Sequence, residues 1–194
     1  MQSITALVLA GGRGTRMGSV DKGLMPLGAR TMVEQVIERL QPQVRRIVLN
    51  ANQNAARYAA LGYPVHGDAM PDFAGPLAGL QTGLLHCTTP YLVTAPCDSP
   101  FLPLDLVTRL AQALHVHQSD IAVAVTGEGK TRQPHPVFCL VSITVLPHLT
   151  HYLQNGGRKF ERWYSTLQTT EVHFADEKAF RNINTLEELK ESNV

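Results

Sequence analysis

Ile4-Thr5-Ala6-Leu7-Val8-Leu9 is a short, nearly continuous apolar run that stops at a cluster of glycines. Apolar residues at successive rather than alternate positions mark a strand covered on both faces, the condition of a parallel sheet packed between helices. The run is followed at once by Gly11, Gly12, Gly14 and Gly18, interleaved with Arg13, Thr15, Arg16 and Met17. Such a loop exposes successive backbone N–H groups and lets a phosphate chain approach without Cβ clashes. Binding of a polyphosphate at the carboxyl end of a central strand is therefore the first expectation.

The rest of the chain supports a sheet of this kind. Thr31-Met32-Val33-Glu34 reads as a capping box opening a helix with Val33, Val36, Ile37 and Leu40 on one face, stopped by Pro42. Strand signals follow at Arg46–Leu49, Pro64–His66, Tyr91–Ala95 and Ile121–Val125. Helical signals lie between them at Ala55–Leu61, Leu77–His86 and Leu104–Leu114, the last with Pro103 at its first turn. This alternation predicts right-handed βαβ units and a mostly parallel sheet.

The second half is less regular. Thr126–Lys130 reads as a turn, Val137–Val141 as a strand with antiparallel character, and Ser142 as the cap of a helix reaching Gln154. Phe160, Trp163, Tyr164 and Leu167 share one helical face, Thr170–Phe174 alternates as an edge strand, and Thr185–Glu188 forms a second capping box. With 194 residues and no linker or repeat, one domain is expected over 1–194, with a nucleotide-fold candidate over about 1–100 and a less regular half over about 101–194.

Charge narrows the partners. Seventeen Lys and Arg oppose sixteen Asp and Glu, a formal balance of +1, so no global field draws the chain onto nucleic acid or a membrane. Any anion must be held by a local site. No run approaches the roughly 18 apolar residues of a membrane span. Cys87, Cys97 and Cys139 form no C-x-x-C, lie in or beside apolar runs and read as core thiols of a cytoplasmic protein.

Two familiar phosphate-binding motifs fail at the glycine loop. A P-loop needs Gly-Lys-[Ser/Thr] at its end, which the Gly12–Gly18 stretch lacks. A dinucleotide fingerprint needs a small residue where Met17 stands, and the next strand ends in Asn50-Ala51-Asn52 rather than a carboxylate for a ribose hydroxyl. The loop offers instead Arg16 within it and Lys22 shortly after it, a fork and a point charge for a triphosphate that loses pyrophosphate. Asp98, just beyond the Tyr91–Ala95 strand, stands where open α/β sheets bind ligands and supplies a hard oxygen suited to Mg²⁺. Asp68, after the Pro64–His66 strand, reads either as a turn residue or as an acceptor for a base edge or ribose.

The string Leu-Ala-Gly-Gly-Arg-Gly-Thr-Arg-Met-Gly over 9–18, followed by Asp21-Lys22-Gly23, resembles the signature of the sugar-phosphate-type nucleotidyltransferases. Within that superfamily the chain is similar over nearly its full length to the molybdenum cofactor guanylyltransferases. Val20–Gly23, Asn50–Asn52, Gly75–Gly79, Pro96–Pro100 and Asn182–Thr185 all fall in that family's order. The resemblance implies a Rossmann-like three-layer α/β/α fold of the nucleotide-diphospho-sugar transferase type. It implies transfer of GMP from GTP to molybdopterin, with release of pyrophosphate. It also implies that Leu9, Ala10, Gly11, Gly12, Lys22, Asn50 and Asp68 contact the guanine nucleotide and that Asp98 also holds Mg²⁺. Gly75 and Gly79 are expected close to the base, where missing side chains leave room for a purine.

On the acceptor side, the basic pair Arg158-Lys159 with Asn182 and Asn184 are the residues expected to receive a phosphorylated pterin, with His135 at the same mouth. His115, His117, His148 and His151 fit no zinc spacing. An acceptor phosphate is already ionised near neutral pH, so attack on the α-phosphorus needs no general base. Arg16, Lys22 and Asp98 are then the catalytic set, acting by position and charge. A protein that makes or receives molybdopterin is the expected partner. Two rivals stay open: a cytidylyltransferase acting on molybdopterin or a sugar-like phosphate, and a non-catalytic nucleotide-binding carrier of the cofactor.

Overall fold

The computed structural model describes residues 3–10, 21–70, 75–184 and 188. The strands are β1 (Ile4–Leu9), β2 (Pro26–Leu27), β3 (Arg30–Thr31), β4 (Arg46–Asn50), β5 (Val65–His66), β6 (Tyr91–Pro96), β7 (Ile121–Thr126), β8 (Gln133–Ser142) and β9 (Thr169–His173). The α-helices are α1 (Met32–Leu40), α2 (Ala55–Ala59), α3 (Pro76–Leu85), α4 (Leu106–Val116), α5 (Leu146–Gln154) and α6 (Phe160–Tyr164).

Seven strands form one sheet in the order β5-β4-β1-β6-β8-β7-β9, and β2 with β3 forms a small separate ribbon. Only β8 among the described strands of the main sheet runs antiparallel, pairing that way with both β6 and β7. The apolar run at the N-terminus is indeed a central strand with a core on each side. Ala6 and Val8 pack with α1 and α4, and Leu7 packs with α3, α5 and α6. Helices on both faces make the three-layer α/β/α arrangement.

Local chemistry explains the element ends. The Glu34 carboxylate accepts the backbone N–H of Thr31 at 2.7 Å and its hydroxyl at 2.6 Å, closing the capping box that starts α1. Val33, Val36, Ile37 and Leu40 form its buried face, as the spacing predicts. Ser142 caps differently from expectation: its hydroxyl oxygen accepts the Thr144 N–H at 3.3 Å in a single 3₁₀ turn, Ile143–Val145. The α-helix proper begins only at Leu146, where Pro147, lacking an N–H, sits at the N-terminus without loss. Likewise α4 begins at Leu106, because Pro103 and Leu104 belong to the preceding turn and Asp105 takes the cap position. The aromatic helix is short, ending at Tyr164, yet Phe160, Trp163 and Tyr164 are buried and Leu167 packs on the same core from beyond it. Thr185 to Glu187, within the second capping-box sequence, lie outside the described residues.

The predicted strand at Val137–Val141 is longer, and its register slips against β7. Val123 pairs with Cys139 but the next residue, Ala124, pairs with His135. Pro136 lies in this bulge, where a residue without an N–H takes no ladder bond. The Val137 carbonyl instead accepts the Thr94 hydroxyl at 2.5 Å.

The layer of α3 lies very close to the sheet. A Cβ on Gly79 would stand 2.5 Å from the Asn50 Oδ1, and one on Gly83 would collide with the Leu7 side chain, which is fully buried and has nowhere to move. Gly75, at φ +78°, precedes the helix in a conformation that favours glycine. Among the described residues no helix is long and apolar enough to cross a membrane. Replacing Gly83 by Ala should lower the unfolding free energy by about 1–3 kcal/mol, read as a shift of the urea midpoint with an unchanged slope.

Candidate functional site

Strand β1 ends between two parallel neighbours. Leu9 is in register with Asn50 of β4 on one side and Pro96 of β6 on the other. Its carbonyl accepts the Cys97 N–H at 3.0 Å, while the Ala10 N–H donates to the Asn50 carbonyl at 2.8 Å. Neighbouring strands lie about 4.8 Å apart, so the residues just past β4 and just past β6 flank a gap of about 10 Å opening beyond β1. Chain order turns back here, since β4 and β5 lie to one side of β1 and β6 to the other. Ligands of open α/β sheets bind at such a switch point.

The β6 side carries the charged group. The Lys22 Nζ donates to the Asp98 Oδ2 at 3.3 Å and to the Asn184 Oδ1 at 2.7 Å. Both ionised side chains are largely buried, with 19% and 14% of their surface exposed. Burial pushes the Asp98 carboxyl above the usual carboxylate range, and the Lys22 ammonium beside it opposes that shift. The segment carrying Asn184 is pinned to the same strand end: the Ile183 N–H donates to the Asp98 carbonyl at 2.8 Å, and the Ser99 hydroxyl donates to the Asn182 Oδ1 at 2.6 Å. Asn184 thus reaches the Lys22 ammonium across 162 positions of the chain.

The β4 side carries a polar cradle. The Asn50 Nδ2 donates to the His66 carbonyl at 3.1 Å and to the Asp68 Oδ1 at 2.9 Å. The Asn52 Nδ2 donates to the Asp68 Oδ2 at 2.8 Å, and the Asn52 Oδ1 accepts the Asp68 N–H at 2.7 Å. Asn50 and Asn52 lie two residues apart and share a face, so the extended spacing alone could have nominated Asn52 beside Asn50. The space left by the missing Gly79 side chain is filled by the Asn50 carboxamide and Leu9. That glycine therefore lets α3 lie against the Asn50 carboxamide.

A cavity of about 420 Å³ adjoins Asn184, lined in part by Pro96, His135, Phe138, Phe180 and Asn182. His135 stacks on Phe180 with ring centres 4.7 Å apart and shares a hydrogen bond of 2.8 Å with the Thr126 hydroxyl. Burial lowers its pKa, with Glu177 opposing. A larger cavity of about 880 Å³, between α4 and the 174–183 segment, shares Asn182 with it, and neither cavity is lined by Lys22 or Asp98.

Arg158 and Lys159 stand on the α5–α6 connection, outside the linings of both cavities. The Arg158 Nη1 donates to the Leu153 and Gly157 carbonyls at 2.9 and 2.7 Å, closing the end of α5. Gly11, Gly12 and Arg16 lie outside the described residues. His148 has a packing role, its Nδ1 accepting the Trp163 indole N–H at 3.1 Å. The three cysteines are buried and free, and burial pushes the Cys139 thiol up to about 12. Among the described residues no group of three or more His, Cys, Asp or Glu side chains could hold a metal ion by itself.

The MobA-like NTP transferase domain matches residues 6–170 of this chain. A molybdenum cofactor guanylyltransferase of Cupriavidus necator is 54% identical over 188 residues, covering 96% of this chain and 94% of the relative. One from Bordetella petrii is 50% identical over 188 residues, covering 97% and 96%. Among solved structures, molybdopterin-guanine dinucleotide biosynthesis protein A from Archaeoglobus fulgidus superposes with a TM-score of 0.77 at 22% identity, covering 97% and 96% of the two chains. The 2-C-methyl-D-erythritol 4-phosphate cytidylyltransferase of Thermus thermophilus superposes with a TM-score of 0.73 at 15% identity, covering 100% and 98%. At these identities the two structures speak for the fold alone, which is the nucleotidyltransferase type expected.

The Lys22–Asp98 pair makes a pH-dependent prediction. Replacing Lys22 by Met leaves the Asp98 carboxylate buried without its cation, so its titration midpoint should rise further, read from the carboxyl carbon resonance. The substitution should cost on the order of 2 kcal/mol of stability at pH 7. That cost exists only while Asp98 is ionised, so it should fade as pH falls through the raised midpoint of the folded state. Urea titrations at neutral and acid pH would measure both limits.

Proposed function

The chain belongs to the molybdenum cofactor guanylyltransferase family of MobA-like NTP transferases, and from that premise we propose that it transfers GMP from GTP to molybdopterin and releases pyrophosphate. The observation that carries the reading is the pairing of two unlike polar groups across the end of β1. An ammonium with a carboxylate stands on the β6 side, and a carboxylate held by two asparagines stands on the β4 side.

The β4 cradle suits guanine. An ionised carboxylate is an acceptor only, with about four lone-pair sites. Asn50 and Asn52 orient the two Asp68 oxygens and leave acceptor capacity on each. Guanine presents adjacent N1–H and N2–H donors that match such a pair of oxygens. Cytosine places its N3 acceptor where guanine has N1–H, and two facing acceptors repel. Asp68 thus favours GTP over CTP, which distinguishes this reading from the cytidylyltransferase alternative.

The β6 group suits the phosphates. With the base at Asp68, the triphosphate would cross the end of β1 toward Lys22, accompanied by Leu9, Ala10, Gly11, Gly12 and Arg16 at the glycine loop. Lys22 is already held at two acceptors, so its charge would meet the developing negative charge of the leaving pyrophosphate without first losing the freedom of its long side chain. The acceptor would lie in the cavity beside Asn182 and Asn184. Its phosphate oxygen, already ionised, attacks the α-phosphorus in line, and position supplies most of the rate.

Mg²⁺ fits the donor set present. It is commonly held by one or two carboxylates together with substrate phosphates and water. Asp98 provides one hard oxygen ligand at the strand end. When bound, the ion would draw charge from the triphosphate oxygens.

Mixing Mg-GTP with molybdopterin should release pyrophosphate, and neither substrate alone should. Binding of GTP without release would favour the carrier reading. A thermal-shift panel should show stabilisation by GTP above CTP, ATP and UTP, and selective stabilisation by CTP would overturn the guanine assignment. Asp98→Asn should lower turnover about a hundredfold, on the order of 3 kcal/mol of transition-state stabilisation. Near-normal turnover at saturating Mg²⁺ would exclude Asp98 as the metal's anchor.

A further inference from the structure

Lys22 is held at its tip by Asp98 and Asn184, and its backbone is held from a different part of the fold. Its two chain neighbours, Asp21 and Gly23, both rest on the side chain of Tyr58 in α2. The Tyr58 hydroxyl donates to the Asp21 Oδ1 at 2.5 Å, and the Asn54 Nδ2 donates to the Asp21 Oδ2 at 2.9 Å. A Cβ on Gly23 would stand 2.5 Å from the same Tyr58 oxygen and 3.0 Å from the Cys97 Sγ, so only glycine lets the chain pass that close. Between these contacts the backbone makes a single 3₁₀ turn over Lys22–Leu24, closed by the Leu24 N–H on the Asp21 carbonyl at 3.2 Å and the Met25 N–H on the Lys22 carbonyl at 3.0 Å.

We infer that Asp21 and Tyr58 form a positioning pair that sets the backbone of Lys22, and through it the place of the ammonium facing the phosphates. Tyr58 is fully buried in the core that also holds Val33, Val36 and Leu106, so its ring is fixed by packing and its oxygen is a rigid reference point. Burial, together with the Cys97 and Asp21 acids around it, keeps the phenol protonated, so the hydroxyl acts as a donor. A hydroxyl bonded to a carboxylate is a strong, short contact. Lysine has a flexible four-carbon stem, and a hydrogen bond at its tip alone leaves several backbone placements open. Anchoring the residues before and after it removes that freedom ahead of binding. Tyr58 is fully buried and Asp21 is taken up by Tyr58 and Asn54, so their effect passes through Lys22.

The test uses the full chain as wild type, Tyr58→Phe, Lys22→Met and the double variant, with Asp21→Asn as a second probe should Tyr58→Phe fold poorly. Tyr58→Phe keeps the ring and its packing and removes only the hydroxyl. It should lower kcat for guanylyl transfer about tenfold while KM for GTP changes little, because a displaced charge fails chiefly in the transition state. It should also shift the Lys22 Nζ nitrogen resonance, and it should have no further effect on kcat in the Lys22→Met background. Full kcat in Tyr58→Phe, or independent multiplying losses in the double variant, would overturn the inference. The rate readout rests on the guanylyl-transfer reading. If wild type releases no pyrophosphate, that reading fails, and the Lys22 resonance still decides: a shift in Tyr58→Phe supports the positioning pair and an unchanged signal refutes it.

Discussion

The end of β1 is the point on which the molecule depends. Its last carbonyl bonds to the chain leaving β6 and the next N–H bonds to β4, so one strand end holds two others apart. Those two bonds place Asn50 and Asp98 on opposite sides of a gap that neither could define alone. The central strand is buried on both faces, and the hydrophobic core that buries it therefore also sets the distance between the two halves of the site.

Close packing on the α3 face tightens this arrangement. Gly79 and Gly83 bring α3 against Leu9, Asn50 and Leu7, and the lack of a side chain at Gly79 is what lets the Asn50 amide turn toward Asp68. On the other face α2 delivers Tyr58 beneath the Lys22 turn. Both helices thus hold polar groups at the carboxyl end of the sheet, α3 by close approach to Asn50 and α2 by the Tyr58 hydroxyl on Asp21. Interiors packed to crystal-like density transmit position in this way, because a displaced methyl group has no void to enter.

Much of this was legible from local pattern. The β1 run, the capping box of α1, its buried face and the strands at 46, 91 and 121 follow from period and capping chemistry, which act within a few residues. Lys22 and Asp98 stand where glycine-rich turns and the strand ends of a parallel sheet offer their chemistry, whereas the nucleotide-contacting roles of Asn50 and Asp68 rest on the family resemblance. The bulge that re-registers β8 around Pro136, the single turn at Ser142 and the tying of Arg158 to the end of α5 were not legible, since each depends on what packs alongside. Asp21 stood in the same motif as Lys22 without a role, because nothing near it in the chain shows that Tyr58 lies against it.

The sequence by itself determined the parallel architecture, the glycine loop at its first strand end and the residue types available there, because periodicity and capping are local and the family's motifs are short. The tertiary structure decided which of those residues meet. Asn184 reaches Lys22 across 162 positions, and Tyr58 reaches Asp21 across 37. A hydrogen bond constrains a few ångströms of space, whereas chain separation constrains almost nothing once a sheet has ordered its strands. Partners of that kind therefore become visible only when the strands are in place.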